Sequence, residues 1–312
     1  IHGRVCYHPC EEACNRTRLD GTVSIHAVER FLGDLALEQG WQFDPPTEET
    51  GKRVLVVGAG PSGLSAAYHL RRRGHDVVVR DNSPKPGGMM RYGIPAYRLP
   101  RSILDAEIAR IAGIGVVFEQ DHVVTDLQAE LTEGGFDAAF VAVGAHLSKR
   151  VDIPHQDAGR VLDAVTFLRG VESGEASGQL GRVAVYGGGN TAMDAARTAK
   201  RLGATETLIV YRRDREHMPA HAFEADEAIE EGVKIKWLTT IKKISGSDLT
   251  VERMELDENG RPKPTGEMET LSADAVVLAL GQQTDSSFLA KVPGIAFTPD
   301  GAVEVGPDLM TG

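Results

Sequence analysis

Arg53-Val54-Leu55-Val56-Val57-Gly58-Ala59-Gly60-Pro61-Ser62-Gly63 decides the fold. A short apolar run enters a G-x-G-x-x-G turn, and a helical pattern follows over Pro61–Arg73. A second apolar run, Asp76–Arg80, ends at Asp81, 23 residues beyond Gly58. Strand, glycine turn, helix and strand in that order form a βαβ unit with a dinucleotide fingerprint. Gly58 permits the tight turn, Gly60 lets the pyrophosphate approach the backbone, and Gly63 lets helix pack on strand. Ala59, Pro61 and Ser62 complete the turn. The helix N-terminus offers amide donors and a positive dipole end to the phosphates. Asp81 stands where a carboxylate accepts from a ribose hydroxyl. The motif by itself does not choose between NAD and FAD.

The same pattern recurs. Arg182-Val183-Ala184-Val185-Tyr186 leads into Gly187-Gly188-Gly189-Asn190-Thr191-Ala192, a G-x-G-x-x-A opening another helix. The following strand, predicted over Thr207–Tyr211, ends in Arg212 and Arg213 rather than an acid. A carboxylate there would hold a ribose 2′-hydroxyl; two guanidiniums attract a 2′-phosphate and match it bidentately. The second site is therefore expected to prefer NADP(H). Strands alternating with helices predict parallel sheets, and two copies predict two Rossmann-like three-layer nucleotide-binding domains of the α/β class. Two dinucleotide sites in one chain suggest a hydride passing between cofactors. That chemistry belongs to the cofactors, so no side chain is assigned a catalytic role.

The 312 residues are 41% hydrophobic and 25% charged, an ordinary composition for a globular enzyme. The net charge of −11 removes the electrostatic footprint expected for nucleic-acid or anionic-membrane binding. No apolar run reaches the roughly 18 residues of a membrane-spanning helix. The three cysteines, Cys6, Cys10 and Cys14, crowd into one short segment. An odd, clustered set does not read as a secreted disulfide framework, and a reducing, cytoplasmic setting is expected. Ile1 is not a methionine and no signal-peptide character follows it, so the chain reads as a fragment or as the ordered part of a longer one. Three thiols at this density suit a metal. Iron–sulfur ligation is the sharper reading, because such clusters take thiolates; zinc fits less well without a Cys-x2-Cys pair. Ile25, Val28, Phe31, Leu32 and Leu35 repeat at helical spacing and predict a helix over Ser24–Glu38.

Longer strings carry a resemblance. Gly3-Arg4-Val5-Cys6…Cys10-Glu11…Cys14, Gly87-Gly88-Met89…Tyr92-Gly93-Ile94-Pro95…Arg98-Leu99-Pro100, Gly188-Gly189-Asn190-Thr191-Ala192-Met193-Asp194 and Tyr211-Arg212-Arg213…Met218-Pro219-Ala220 resemble the small (β) subunit of NADPH-dependent glutamate synthase and its relatives, including the amino-terminal half of dihydropyrimidine dehydrogenase. The resemblance implies an FAD domain with an inserted NADPH domain, preceded by a helical domain with two [4Fe-4S] clusters. It implies cluster ligation by Cys6, Cys10 and Cys14, with Glu29 at the place of a non-cysteine ligand. A plain surface glutamate explains Glu29 nearly as well. Gly88, Met89, Arg98, Val124, Gly144 and Gly281 join the turn residues as implied cofactor contacts.

The expected domains are residues 1–41, the end of the iron–sulfur domain; 42–51, a linker; 52–146 with 281–312, the FAD domain; and 147–280, the NADPH domain. Upstream cysteines and a flavin motif beyond Gly312 are also implied, so this stretch alone is expected to hold FAD poorly. The implied activity is NADPH oxidation by FAD, with electrons leaving through clusters to a larger partner such as a glutamate synthase large subunit, or to a ferredoxin. Electron-transfer subunits of other redox complexes and a non-catalytic relay module stay open as alternatives. A disulfide reductase does not fit, because no cysteine follows Cys14.

Overall fold

The computed structural model describes residues 1–149, 153–156, 160–175, 180–299 and 301–311. The chain divides into two compact units, Ile1–His146 with Thr284–Gly312, and Leu147–Gln283. Among the described residues no helix is long and apolar enough to cross a membrane.

The first unit opens with short turns and a helix, α1 (Ile25–Glu38). Pro9 occupies the first position of the helical turn Pro9–Glu12, and the chain before it is broken at Cys6–His8. That placement fits a residue that begins helices but disrupts their interiors. Beyond residue 51 come β1 (Arg53–Val57), α2 (Pro61–Arg72), β2 (Asp76–Arg80), α3 (Arg101–Gly113), β3 (Val117–Glu119) and β4 (Ala138–Val141). The strands form a wholly parallel sheet in the order β3-β2-β1-β4. Alternation along β1 divides the core. Val56 packs with Ala67 of α2 and with Val77 and Val79, while Leu55 and Val57 pack on the other face with Phe136 and Leu289. Both faces are covered, so the central strands read as unbroken apolar runs. Residues 42–51 carry neither helix nor strand. They are held by Phe43, which packs against Tyr68, and by a Glu49–Arg71 ion pair.

The second unit contains β5 (Arg160–Asp163), α4 (Ala164–Glu172), β6 (Arg182–Tyr186), α5 (Asn190–Arg201), β7 (Glu206–Val210), α6 (Ala222–Glu230), β8 (Lys234–Lys236) and β12 (Ala275–Leu278). Its parallel sheet runs β8-β7-β6-β12-β5. Between β8 and β12 the chain adds β9 (Thr239–Ser245), β10 (Asp248–Leu256) and β11 (Pro262–Ser272), an antiparallel sheet. Val183, Val185 and Ile209 face the helices; Ala184, Tyr186 and Val210 face Ile241, Leu249 and Val251 of the antiparallel sheet. This is a layered α/β unit with its parallel sheet covered on both sides.

One polar staple is repeated in both units. Asp137, just before β4, accepts from the Arg53 backbone N–H at 2.8 Å and from Lys52 at 2.8 Å. Asp274, just before β12, accepts from the Arg182 backbone N–H at 2.8 Å and from the Nε and Nη2 of the Arg182 guanidinium at 3.1 and 2.8 Å. Each carboxylate thereby fixes the start of one strand against the start of its neighbour. Gly181 sits beside this second staple at φ +59°, and a Cβ there would stand 2.4 Å from the carboxylate of Asp274. The Arg182 hydrogen bonds depress the Asp274 carboxyl from its ordinary 3.8 to about 2. A depressed carboxylate contributes stability above its unfolded pKa and loses it as the pH falls through the folded value. The Asp274→Asn variant should therefore melt below wild type at neutral pH. The difference should close as the pH drops from 3.8 toward about 2. Thermal melts across that window check it; a pH-independent difference would mean the lost shape matters rather than the lost charge.

Candidate dinucleotide-binding sites

In the first unit the turn after β1 is a tight crossing of backbones. Gly58 has φ +106°, and a Cβ on it would meet the Ala142 carbonyl oxygen at 2.4 Å. A Cβ on Gly63 would lie 1.8 Å from the Gly58 carbonyl oxygen. Both positions are closed to any side chain. Gly60 precedes α2 with Pro61 at the helix start. A Cβ on Gly88 would stand 2.6 Å from the Gly60 Cα, and the Gly87 N–H donates to the Ala59 carbonyl at 2.8 Å. The Gly87-Gly88 pair thus presses its loop onto the turn. The Asp81 carboxylate lies at the turn, accepting from the Ala59 N–H at 2.7 Å and the Ser83 N–H at 2.8 Å. Ala59 is fully buried, whereas Pro61 and Ser62 are exposed at the helix mouth.

The loop that follows is organised by two arginines absent from the sequence-derived site. Arg101 is the first residue of α3. Its guanidinium donates to the carbonyls of Met90 (3.3 Å), Leu99 (3.0 Å), Arg91 (2.6 Å) and Ile94 (2.9 Å). Arg91 is 2% exposed, donates from Nε to the Pro86 carbonyl at 2.7 Å, and pairs with Asp105. Met89 starts the single helical turn Met89–Tyr92. Arg98 lies 6.0 Å from the Tyr7 ring centroid, a cation–π arrangement. Val124 packs against the core cluster around Leu55, and Gly144 adopts φ +67° with open space where a Cβ would stand.

The second turn repeats the crossing. Gly187 has φ +149°, and its Cβ would meet the Ala279 carbonyl oxygen at 2.2 Å. Gly189 has nothing within 4 Å of a Cβ, which leaves open space over the turn for a phosphate group. The two units differ at the end of the second strand. The Tyr211 ring covers Gly188, where a Cβ would come within 2.4 Å of the ring, and its hydroxyl donates to the His217 carbonyl at 2.8 Å. Burial pushes the Tyr211 phenol up. Arg212 is exposed and Arg213 half-buried, and among the described residues neither makes an ion pair with a carboxylate. Arg215 nearby is paired with Asp226. The Asn190 side-chain oxygen accepts from the His221 N–H at 3.1 Å, and the Ala220 N–H donates to the Gly188 carbonyl at 3.0 Å. The Met218-Pro219-Ala220 segment is thus tied to the turn. Thr191 stands near the opening of α5, Ala192 is buried beneath it, and Gly281 follows β12 at φ +107°.

The cysteines are free thiols, Cys6 and Cys10 exposed and Cys14 half-buried. Backbone amides of Val23, Arg16 and Thr17 hold the Cys14 thiol below its ordinary range, which favours the thiolate a metal takes. Glu29 lies exposed on α1. Among the described residues one trio of ligand-capable atoms converges: His8, Glu11 and His26. Glu11 accepts from the His26 N–H and ring nitrogen, both at 2.9 Å, which braces the start of α1.

A family model described as pyridine nucleotide-disulphide oxidoreductase matches residues 52–312. The chain belongs to the pyridine nucleotide-disulphide oxidoreductase family. It is 39% identical to the NADP(+)-dependent formate dehydrogenase subunit beta of Moorella thermoacetica, across 98% of this chain and 47% of that protein. It is 36% identical to the glutamate synthase [NADPH] small chain of Escherichia coli strain K12, across 90% of this chain and 65% of that one. The chain spans about half the length of the curated relatives it matches. Mycobacterium tuberculosis FprA in complex with NADPH shares the fold, with a TM-score of 0.64 at 21% identity over 79% of this chain and 73% of that one. The family resemblance drawn from the motifs holds. Despite the family's description, residues 52–312 contain no cysteine.

Arg101 generates a prediction that needs no cofactor. Removing its guanidinium leaves four carbonyls without their donor. Hydrogen bonds to charged groups contribute about 1.5–3 kcal/mol each, and four on one group do not add. Arg101→Leu should cost roughly 3 kcal/mol, read as a lowered urea midpoint. Arg101→Lys should recover part of it, because one ammonium cannot span four carbonyls. An unchanged midpoint would show that Arg91 holds the loop alone.

Proposed function

We propose that the chain is the NADPH-oxidising part of an FAD-containing electron-transfer subunit, of the glutamate synthase small-subunit type. The observation that carries this reading is the contrast between two otherwise matching turns. One is bordered by the Asp81 carboxylate, the other by Arg212 and Arg213 without carboxylate partners among the described residues. A carboxylate suits the ribose of FAD, and guanidiniums suit a 2′-phosphate. In this reading Gly58–Gly63, Asp81 and the loop held by Arg91 and Arg101 hold the flavin dinucleotide; Gly187–Ala192, Arg212 and Arg213 hold NADP(H).

When bound, NADPH supplies a hydride and FAD takes it up with a proton. The chain's own contribution is placement: glycine turns that admit phosphates, helix N-termini that favour their charge, and side chains that select each ribose. The thiols of Cys6, Cys10 and Cys14 provide a donor set suited to iron–sulfur clusters, with Glu29 as a candidate non-cysteine ligand. Electrons would leave through these clusters to a larger subunit or a ferredoxin. The names of two relatives, a formate dehydrogenase subunit and a glutamate synthase small chain, support an electron-transfer subunit with differing acceptors.

The test is anaerobic addition of NADPH to the flavin-loaded protein, followed by loss of the oxidised-flavin absorbance. A flavin that NADPH leaves untouched would turn the reading toward a relay module. The same assay examines Arg212→Ala and Arg213→Ala. A charge-assisted contact to a solvent-facing phosphate sits at the low end of about 1.5–3 kcal/mol, so each loss should weaken NADPH about tenfold. NADH carries no 2′-phosphate and should bind as before. The limiting rate of flavin reduction should also survive, because the contact is uniform along the reaction. Equal losses for both nucleotides would assign the arginines to structure instead.

A further inference from the structure

Arg212 and Arg213 are followed directly by an acid, Asp214, whose charge opposes any anion they attract. The backbone of this loop is fixed. The Tyr211 N–H donates to the Lys236 carbonyl at 3.0 Å, and the Leu238 N–H donates to the Arg213 carbonyl at 3.0 Å. Asp214 is therefore held beside the arginines, and its charge is answered in place.

The answering group is His217. Asp214 Oδ1 accepts from the His217 backbone N–H at 3.0 Å and from ring Nδ1 at 2.7 Å. These bonds hold the Asp214 carboxyl below its ordinary range. The other edge of the ring meets a different element. Gly260 lies in the turn between β10 and β11 at φ +69°, and a Cβ on it would stand 2.3 Å from His217 Nε2. The His217 carbonyl accepts from the hydroxyl of Tyr211, the residue whose ring covers Gly188. One residue thus joins the acid after the arginines, the aromatic over the glycine turn and the tip of a hairpin.

The surrounding charges make its protonation state matter. On the hairpin turn, Asp257 accepts from the Asn259 and Arg261 N–H groups at 2.9 Å and has Lys263 3.8 Å away, while Glu258 and Arg261 carry opposite signs. On the loop, Arg215 is paired with Asp226. Arg212 and Arg213 are then balanced by Asp214 and Glu216 when His217 is neutral, and a proton on His217 leaves the loop positive. The His217 side chain is 41% exposed, so it exchanges protons with water. An imidazole changes charge between about pH 5 and 8.

We propose that His217 is a positioning residue for NADP(H), engaging Asp214 and, by gaining a proton, raising the affinity of the second unit for a 2′-phosphate as the pH falls. The proposal rests on the reading of the second unit as an NADP(H) site. It makes nucleotide affinity there respond to pH through one side chain.

The experiment is calorimetric titration of wild type, His217→Gln and Asp214→Asn with NADP+ and NAD+ at about pH 6 and about pH 8.5, either side of the imidazole range. The second ionisation of a phosphate, near pH 6, is common to all three proteins and cancels in their ratios. At the lower pH wild type should bind NADP+ about fourfold more tightly than His217→Gln, the scale of one exposed charge pair. At the higher pH the two should bind it alike, and there Asp214→Asn should bind it more tightly than wild type. NAD+ has no 2′-phosphate and should distinguish none of the three. A wild-type to His217→Gln ratio that does not change with pH, or equal losses for both nucleotides, would make His217 a brace of the loop and overturn the proposal. Asp214→Asn binding NADP+ no more tightly than wild type at the higher pH would overturn it as well. A wild type with no preference for NADP+ over NAD+ at either pH would remove the NADP(H) reading itself, and the proposal with it.

Discussion

Each unit is organised around one steric constraint: the first glycine of the turn lies pressed beneath the carbonyl that follows the adjacent strand. The contact is Gly58 against Ala142 in one unit and Gly187 against Ala279 in the other. Hydrogen bonds lock both sides of the crossing. The Gly58 N–H donates to Arg80 and the Ala142 N–H to Val57; the Gly187 N–H donates to Val210 and the Ala279 N–H to Tyr186. Three neighbouring strand ends are thereby brought to one point, with a helix N-terminus above them. The Asp137 and Asp274 staples fix the opposite ends of the same strands. A larger residue at either first glycine would have to push two strands apart, so the binding turn and the sheet are a single structural commitment.

On that shared frame, small differences at the second strand separate the two sites. Ala59 and Gly188 occupy equivalent positions in their turns. Ala59 gives its N–H to Asp81, so a carboxylate borders the first site. Gly188 lies under the ring of Tyr211, and an aromatic plane takes the place of that carboxylate. The ring makes the glycine obligatory, and its hydroxyl ties the segment ending in Ala220 back to the turn. Among the described residues the guanidiniums that follow form no ion pair with a carboxylate, in a chain whose net charge is −11. In the proposed reading, attraction of an anionic ligand there would depend on local placement against the overall field, not on the charge of the molecule.

The legible features were those imposed by local backbone geometry. Glycine spacing, the proline at a helix start and alternating strand–helix runs located both turns and both parallel sheets, with Pro61–Arg72 and Asp76–Arg80 within a residue of expectation. The second strand of the repeat runs Glu206–Val210 rather than Thr207–Tyr211, because Tyr211 leaves the strand to cover Gly188. The antiparallel sheet was not legible. Pro262 and Pro264 argue against a strand, and Pro262–Ser272 tolerates them because it is the edge strand of its sheet. Arg101 was hidden for another reason: it gathers four carbonyls along a loop, and no periodicity encodes that.

The amino-terminal segment is held together differently from the rest. The stripe that predicts α1 is real, yet Val28, Phe31 and Leu32 are about half exposed or more, and Ala36 is the helix's buried residue. Its order comes from polar contacts. Arg4 meets Asp34 through two hydrogen bonds of 2.6 and 2.9 Å, and Glu11 braces His26. Gly3 packs so closely that a Cβ would stand 2.3 Å from the Arg30 amide nitrogen. Short segments with so little buried apolar area gain order from added cross-links, and metal ligation is one such link. Converging histidines do not supply it here. The His8 and His26 rings stack with centroids 4.4 Å apart and planes 22° from parallel, so a metal in the plane of one ring falls out of the plane of the other. The free thiols of Cys6, Cys10 and Cys14 are the groups on this segment whose chemistry would make metal binding and folding of the segment one event.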